Sequence, residues 1–314
     1  MVYSLIAQRL GYSLTHNKTF YNPPHYNLII LIWLIKQSIL QCHQILNNTQ
    51  CFVIISTFLF KDYFLETILK LHNVSKHYDG IIALDNISFT LNSGDIFGLL
   101  GRNGGGKTTM IKIITSMLTD FTGDIEFLGH NLRDKRNLIF FKQHIAYLPD
   151  RDFLYSHMNG LQSIAFFKDF FSDFNDKKAL EIFQLLDVVP TQKISTMSKG
   201  QAEKLALSLM LAREAKLYLF DEPLAGADVI SRDEIFKLIA TYCKSGATII
   251  ATHLISSVEA ILTKALFLNK KAMAYGSKEE LLIDFNSLED SFRYYASDST
   301  IKPLKQLENT ESKE

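Results

Sequence analysis

A glycine-rich loop is the feature of this sequence that most constrains its fold. Residues 101–108 fit the pattern G-x-x-x-x-G-K-[ST], and the apolar run Ile96–Leu100 before them predicts a buried strand. Glycines let successive backbone N–H groups turn inward around phosphates, and a following helix adds the positive end of its dipole. The loop therefore predicts a strand, a turn and a helix that together bind a nucleoside triphosphate.

The end of this loop carries two side chains with predicted roles. Lys107 is placed to reach the β- and γ-phosphates, and the hydroxyl of Thr108 is placed to bind Mg²⁺. The alternative is a plain glycine-rich turn, which would make the Lys-Thr pair an accident. The predicted nucleotide-binding residues of the loop are Gly101, Arg102, Asn103, Gly104, Gly105, Gly106, Lys107, Thr108 and Thr109.

Two further apolar runs end in polar side chains. Asp221 and Glu222 follow Leu217–Phe220, and His253 follows Ile249–Thr252. Because strand ends beside the loop can reach bound phosphates, we expect Asp221 to order Mg²⁺, Glu222 to activate water and His253 to lie near the γ-phosphate. Each run alone also fits a structural explanation, since acids can close a strand in solvent and a single histidine is more often structural.

A polar turn at residues 198–201 precedes a predicted helix over residues 202–212. A serine hydroxyl, a glycine backbone and a helix N-terminus can together form an anion site. Taken alone, this turn is more typical of an ordinary helix N-cap. Residues 225–228 alone are typical of a plain turn.

The order of these segments resembles the ATP-binding subunits of ABC transporters over about residues 68–293. In this resemblance, residues 101–109 are the Walker A motif and residues 217–222 are the Walker B motif. Glu222 is then the catalytic residue and His253 the switch histidine.

Three further segments carry the same resemblance. Tyr78 corresponds to the aromatic residue that stacks on adenine in this family, and residues 225–228 correspond to its D-loop, with Asp228. The signature motif acts on the ATP of the partner subunit. Its residues here are Ser198, Lys199, Gly200 and Gln201.

The sequence departs from the family pattern at three positions. Asp150 stands where a glutamine that contacts Mg²⁺ and water is usual, so it either ligates Mg²⁺ through its carboxylate or couples less directly to the membrane partner. Lys199 replaces the first glycine of the signature and brings a cation near the partner's γ-phosphate. Ala227 replaces a common leucine and reduces apolar packing between two protomers.

The resemblance implies an α/β fold, with a P-loop NTPase parallel-sheet core, an antiparallel β subdomain and an inserted helical subdomain. We expect the ATP-binding domain at residues 67–297 and the helical subdomain at about 159–200, with residues 159–196 helical throughout. Its paired phenylalanines are more typical of core packing than of a docking groove for a membrane partner. If the groove exists, Leu154 and Tyr155 are the expected contacts.

Composition excludes some classes of protein. The 314 residues carry 33 basic and 33 acidic side chains, which argues against a nucleic-acid partner. Cys42, Cys51 and Cys243 form no CxxC pair, so neither a disulfide framework nor a zinc site is expected and a reducing cytoplasm is the simplest location.

Both ends of the chain differ from the predicted domain. Residues 1–66 contain the apolar runs Leu28–Ile35 and Cys51–Phe60, each about half of the ~20 residues that cross a bilayer. This extension fits a membrane-surface hairpin, a partner-binding segment or sequence before the true start. The last is favoured because no methionine lies between Met1 and Met110. The polar residues 298–314 are expected to be disordered.

The resemblance implies an ATP-hydrolysing subunit that powers a separate transmembrane permease. We expect ATP and Mg²⁺ as ligands, a homodimer or heterodimer of ATPase subunits, and a peripheral position on the cytoplasmic face of the membrane. Export is favoured because the sequence shows no regulatory C-terminal domain. The alternatives are a regulatory subunit that binds ATP without efficient turnover and a soluble ABC ATPase outside transport.

Overall fold

The computed structural model describes residues 66–223 and 229–297 of the chain. The extension up to residue 65, the predicted D-loop with Asp228 and the tail from residue 298 lie outside these residues. The strands are β1 (Thr67–Tyr78), β2 (Ile81–Asn92), β3 (Ile96–Leu100), β4 (Thr122–Phe127), β5 (His130–Asn131), β6 (Ile145–Leu148), β7 (Leu217–Asp221), β8 (Ala247–Thr252), β9 (Lys264–Asn269) and β10 (Lys271–Ser277).

Helices connect most of these strands. They are α1 (Lys107–Ile114), α2 (Leu138–His144), α3 (Gly160–Phe170), α4 (Asp176–Leu185), α5 (Lys199–Leu211), α6 (Val229–Tyr242), α7 (Ile255–Val258), α8 (Lys278–Leu281) and α9 (Leu288–Ser297). Short 3-10 turns lie at Lys135–Asn137, Ile194–Thr196 and Glu259–Ile261. In the part of the chain that the structure describes, no helix has both the length and the apolar character needed to cross a bilayer.

The strands form one mixed sheet in the order β5-β4-β1-β2-β10-β9-β3-β8-β7-β6. Its core is parallel, because β3 pairs in parallel with β8 and β9, and β7 pairs in parallel with β6 and β8. β1, β2, β4 and β5 are antiparallel and form the outer part. The predicted fold class, a parallel core with an antiparallel subdomain, is confirmed.

The sheet separates two apolar cores. Along β7, Leu217 and Leu219 belong to one core, while Tyr218 and Phe220 belong to the other. This alternation follows from the two-residue side-chain period of a strand, and burial on both faces explains why the run is apolar throughout. Helix α1 packs in the first core and helices α3 to α6 pack in the second. The strand ends therefore emerge from a sheet that is supported on both faces.

The helical insertion is shorter than the sequence indicated. The prediction that residues 159–196 are helical throughout was wrong, because α4 ends at Leu185 and irregular backbone follows. Asp187 has a φ of 55°, in the left-handed region that ends helices, and Pro190 lacks the N–H that a continuing helix needs. The next long helix, α5, begins three residues earlier than predicted.

Candidate functional site

The glycine-rich loop connects the end of β3 to the start of α1. Two of its glycines leave no room for a side chain. A Cβ at Gly101 would lie 2.2 Å from the backbone oxygen of Leu268, and one at Gly106 would lie 2.6 Å from that of Ala83. Gly106 also has a φ of 103°, which L side chains rarely adopt. The loop conformation therefore requires glycine at both positions.

Lys107 joins the loop to the acid pair. Its side chain is buried, and Nζ donates hydrogen bonds to the backbone oxygens of Gly101 at 2.8 Å and Arg102 at 3.3 Å. The same Nζ lies 3.3 Å from Oε1 of Glu222. The first residue of α1 and the residue after β7 are thus in direct electrostatic contact.

Glu222 is held in an unusual backbone conformation. Its φ is 50°, and its backbone N–H donates to the oxygen of Ala251 at 2.8 Å. Carboxylate Oε2 accepts a hydrogen bond from Oγ1 of Thr252 at 2.9 Å and lies 3.0 Å from Nδ1 of His253. A non-glycine residue with positive φ is strained, and such strain is often found at functional sites.

The two carboxyl groups titrate differently. Burial raises the pKa of Asp221 to about 6, against the opposing effect of a hydrogen bond from Thr108. Burial also acts to raise the pKa of Glu222, but hydrogen bonds from His253 and Thr252 and the charge of Lys107 outweigh it and lower that pKa. Glu222 is therefore ionised at neutral pH.

The polar atoms around Asp221 fit a divalent cation. Its buried Oδ1 has no hydrogen-bond partner among the described residues, and the Thr108 hydroxyl is close enough to interact with the carboxylate. A buried carboxylate oxygen without a donor is costly unless a cation or water satisfies it. Mg²⁺ is held in nucleotide sites by one or two such oxygen ligands and by the phosphates, so the donor set suits it.

A cleft of about 380 Å³ adjoins this site. Asp150, Ser198, Lys199 and Glu222 are among its lining residues. Asp150 also lies near enough to Asp221 for its charge to raise the pKa of that carboxyl. Asp150, which stands where the family usually has a glutamine, thus lies in the same cleft as Glu222 and near Asp221.

The turn at residues 198–201 forms the N-terminus of α5. Oγ of Ser198 accepts a hydrogen bond from the backbone N–H of Gln201, whose side chain in turn accepts one from the Ser198 N–H. This capping box satisfies two N–H groups of the first turn. Lys199 is exposed and lies 3.7 Å from Glu203. Within this chain, Ser198 and Gln201 therefore act as an ordinary helix N-cap.

Comparisons with known proteins point to one family. The sequence matches the family described as ABC transporter over residues 84–225. It is 30% identical over 207 residues to the ABC transporter ATP-binding protein YtrB of Bacillus subtilis, covering 65% of this chain and 70% of that protein. The chain belongs to the ABC transporter ATP-binding proteins.

Other ABC proteins extend the comparison. The manganese transport system ATP-binding protein MntB of Halalkalibacterium halodurans is 30% identical over 226 residues, covering 68% of this chain and 87% of that protein. The probable multidrug ABC transporter ATP-binding protein YbhF of Escherichia coli is 26% identical over 222 residues, covering 69% of this chain and 38% of that protein.

Solved ABC structures share the fold. A structure of the ATP-binding subunit of an ABC transporter has a TM-score of 0.65 at 22% identity, over 73% of this chain and 100% of that one. A dimeric post-hydrolysis cassette with ADP and Pi has a TM-score of 0.60 at 20% identity, over 67% of this chain and 99% of that one. As a member of the ABC transporter ATP-binding proteins, the chain is an ATPase and the ATP-binding subunit of a transporter.

Sequence reasoning missed two contacts in this ABC protein. Thr252, whose hydroxyl donates to the Glu222 carboxylate, is not among the predicted site residues. Its hydroxyl at a strand end, directly before His253, is a local signal for such a role. Lys76, two residues before Tyr78, is buried and contacts the Tyr78 ring. No local pattern indicates that a lysine in this strand is buried.

Proposed function

We propose that this ABC protein hydrolyses ATP with Glu222 as the base that activates water. The observation that carries the proposal is the contact of the Glu222 carboxylate with Lys107 on one oxygen and with Thr252 and His253 on the other. A base must be ionised and fixed near the reacting phosphate, and these contacts favour the ionised form and restrict its rotation. His253 then orients Glu222 and senses the γ-phosphate.

We propose the remaining nucleotide contacts as well. The loop from Gly101 to Thr109 binds the phosphates, with Lys107 at the β- and γ-positions, and adenine stacks on the half-exposed ring of Tyr78. Asp221 and Thr108 hold Mg²⁺, with Asp150 as a further candidate ligand. Held by these residues, Mg²⁺ would neutralise negative charge on the phosphates.

Glu222→Gln tests the assignment of the base. The variant keeps the shape of the side chain but removes the proton acceptor, so steady-state ATP turnover should fall by roughly 10²-fold or more. ATP binding, measured by calorimetry, should be retained. Glu126→Gln is the matched control, because Glu126 is exposed on β4, and its turnover should be unchanged. Turnover of Glu222→Gln at the wild-type rate would remove Glu222 from this role.

We also propose that two copies, or this chain and a related subunit, share each ATP between them. Ser198, Lys199, Gly200 and Gln201 of one subunit contact the γ-phosphate bound by the other, and the predicted D-loop residue Asp228 is assigned to the same shared site. A Cβ at Gly200 would meet nothing within 4 Å, so no contact within the described residues explains a glycine in the first turn of α5. Glycine destabilises a helix by roughly 1 kcal/mol relative to alanine, so an approaching partner is a reason for keeping it.

Gly200→Ala tests this shared site. The change should leave ATP binding by the single subunit intact and lower turnover by the dimer, because only the dimer brings Gly200 to a nucleotide. Analytical ultracentrifugation with ATP would measure dimer formation in parallel. Wild-type turnover and dimerisation would contradict the proposal.

We propose that exposed aromatic side chains of the helical subdomain and of the segment directly before it dock the permease. Tyr155 and Phe170 are 52% and 63% exposed, and Phe166 contacts both at ring-centroid distances of 5.4 and 4.6 Å. A contiguous aromatic surface of this kind is typical of interfaces. Leu154, by contrast, is partly buried against the core, so its share of the contact is smaller than expected.

Copurification from native membranes in mild detergent tests this docking. The wild-type chain should bring down a polytopic membrane protein at stoichiometric ratio, and Phe170→Ser should lose it. Ile139→Ser is the control, because Ile139 is 72% exposed but lies on α2, outside the helical subdomain. Equal recovery with both variants would exclude this surface, and recovery of soluble partners alone would contradict docking to a permease.

We propose a peripheral position on the cytoplasmic face of the membrane and export as the direction of transport. Similarity to YbhF, which is named as a probable multidrug protein, supports a drug as cargo, and a drug cargo favours export; MntB is named for manganese transport instead. After the permease is identified, inside-out vesicles decide the direction. ATP-dependent accumulation of substrate in these vesicles indicates export, and ATP-dependent loss indicates import.

A further inference from the structure

Tyr78 has a cation against one face of its ring. Lys76 and Tyr78 are two residues apart on β1, so their side chains lie on the same face of the strand. Nζ of Lys76 lies 4.8 Å from the centroid of the Tyr78 ring, within the range of a cation–π contact. Lys76 is only 5% exposed, whereas Tyr78 is 43% exposed. The Tyr78 ring is therefore contacted by a buried amine and remains partly exposed to solvent.

An acidic side chain that is itself 92% exposed pairs with this lysine. Nζ of Lys76 donates a hydrogen bond to Oδ2 of Asp120 at 2.7 Å, and the interaction lowers the pKa of Asp120. Asp120 lies in the connection between α1 and β4, so the pair links the strand of Tyr78 to the segment that leaves the phosphate-loop helix. The amine of a buried lysine requires such a partner.

Strand β2, which pairs with the strand of Lys76 and Tyr78, packs against the phosphate loop. Lys76 is opposite Leu84 in the register of β1 and β2. A Cβ at Gly106 would lie 2.8 Å from Cδ2 of Leu84, which shows how closely β2 packs against the loop. Lys76 is thus opposite, in the register of the two strands, the residue of β2 that packs against the phosphate loop.

We propose that Lys76 is a positioning residue for the nucleotide base. Lys76, paired with Asp120, contacts one face of the Tyr78 ring and so holds the other face toward adenine at a set distance from the phosphate loop. This inference rests on the proposed stacking of adenine on Tyr78. Lys76 makes no contact with nucleotide itself, and its effect is confined to the base.

Calorimetry on the full chain with two probes tests the inference. The first probe is a non-hydrolysable ATP analogue with Mg²⁺, and the second is inorganic tripolyphosphate, which lacks the base. Lys76→Met should weaken binding of the analogue by about two- to fivefold, the range of one exposed cation–π contact, and leave tripolyphosphate binding unchanged. Lys76→Arg should restore the analogue's affinity. Lys70→Met is the matched control, because Lys70 is exposed on the same strand.

The outcomes separate this inference from the proposed role of Tyr78. Wild-type affinity of Lys76→Met for the analogue, or an equal loss for both probes, overturns the positioning role. If Tyr78→Ala weakens analogue binding while Lys76→Met does not, the inference alone fails. If Tyr78→Ala also binds the analogue normally, the stacking proposal fails and the inference fails with it. In the Tyr78→Ala background, Lys76→Met should have no further effect.

Discussion

Arg213 offers a direct measure of how the helical subdomain is attached to the sheet. Its side chain is 1% exposed and lies between the two parts of the domain. Nε and Nη2 donate to the two carboxylate oxygens of Asp173, each at 2.9 Å, and the guanidinium stacks on Phe171 at 3.8 Å. Nη1 donates to the backbone oxygen of Ile145 at 2.7 Å, and Nη2 also contacts that of Gln143. Arg213→Met removes every polar contact and keeps the apolar stem.

The expected cost is large because the main groups left behind are shielded from solvent: the Asp173 side chain is only 20% exposed, and Ile145 is buried. Loss of one partner of a buried ion pair costs about 3–5 kcal/mol, since the other charge is left without compensation. The carbonyl oxygens of Ile145 and Gln143 lose their donor as well, and such losses add to the cost. For a domain of this size, 1 kcal/mol shifts the melting temperature by about 2–4 °C, so we expect a decrease of about 6–20 °C.

Thermal unfolding followed by circular dichroism, with urea titration in parallel, measures this cost. Arg213→Lys should recover little, because an ammonium cannot reproduce the planar, bidentate contact. Arg133→Met is the matched control: Arg133 also stacks on a phenylalanine and donates to backbone oxygens, but it is exposed. Its loss should cost about 1 kcal/mol or less. The reasoning would be refuted if the melting temperature of Arg213→Met were within about 2 °C of that of Arg133→Met, because the shift of the control is itself of this order.

Three further outcomes are expected. Asn159→Ala removes the capping box of α3 and should lower the free energy of unfolding by about 1 kcal/mol in urea titration, whereas an unchanged midpoint would contradict the cap's contribution. Burial raises the pKa of the Cys243 thiol to about 12, so at pH 8 iodoacetamide should label it in denatured but not in native protein, as peptide mass mapping would show. Lys107→Ala should weaken ATP binding by roughly ten- to a hundredfold in calorimetry, because it removes a charge-assisted contact to phosphate. Wild-type affinity would argue against that contact.

The parts of the fold that depend on neighbouring residues could be predicted from the sequence. Two strands are predicted by their own few residues. They are the apolar run Ile96–Leu100 before the glycine loop and the apolar run Leu217–Asp221 that ends in an acid. Burial on both faces makes such strands apolar throughout, and their parallel pairing then brings the ends together. This explains why Lys107 and Glu222 lie in contact, as the order of the motifs led us to expect.

Features that depend on distant residues could not be predicted. The polar partners of Arg213 lie 40, 68 and 70 residues away in the chain, so nothing near Arg213 indicates that it is buried. The burial of Lys76 is equally hard to predict, because its partner Asp120 is 44 residues away in the chain. The end of α4 is a different case, because Pro190 is a local signal that the predicted helix does not continue. The left-handed backbone of Asp187, in contrast, occurs without the glycine that usually marks it.

Strand β7 gives the site an unusual sensitivity to remote changes. Its side chains alternate between two separate cores, and the strand ends at Asp221 with Glu222 directly after it. A slip of one residue would exchange the two cores, so the strand has a single tolerated register. A substitution that repacks either core can therefore move the carboxylates by a fraction of an ångström. Variants with lost turnover and intact nucleotide contacts should be found on both sides of the sheet, well away from any phosphate.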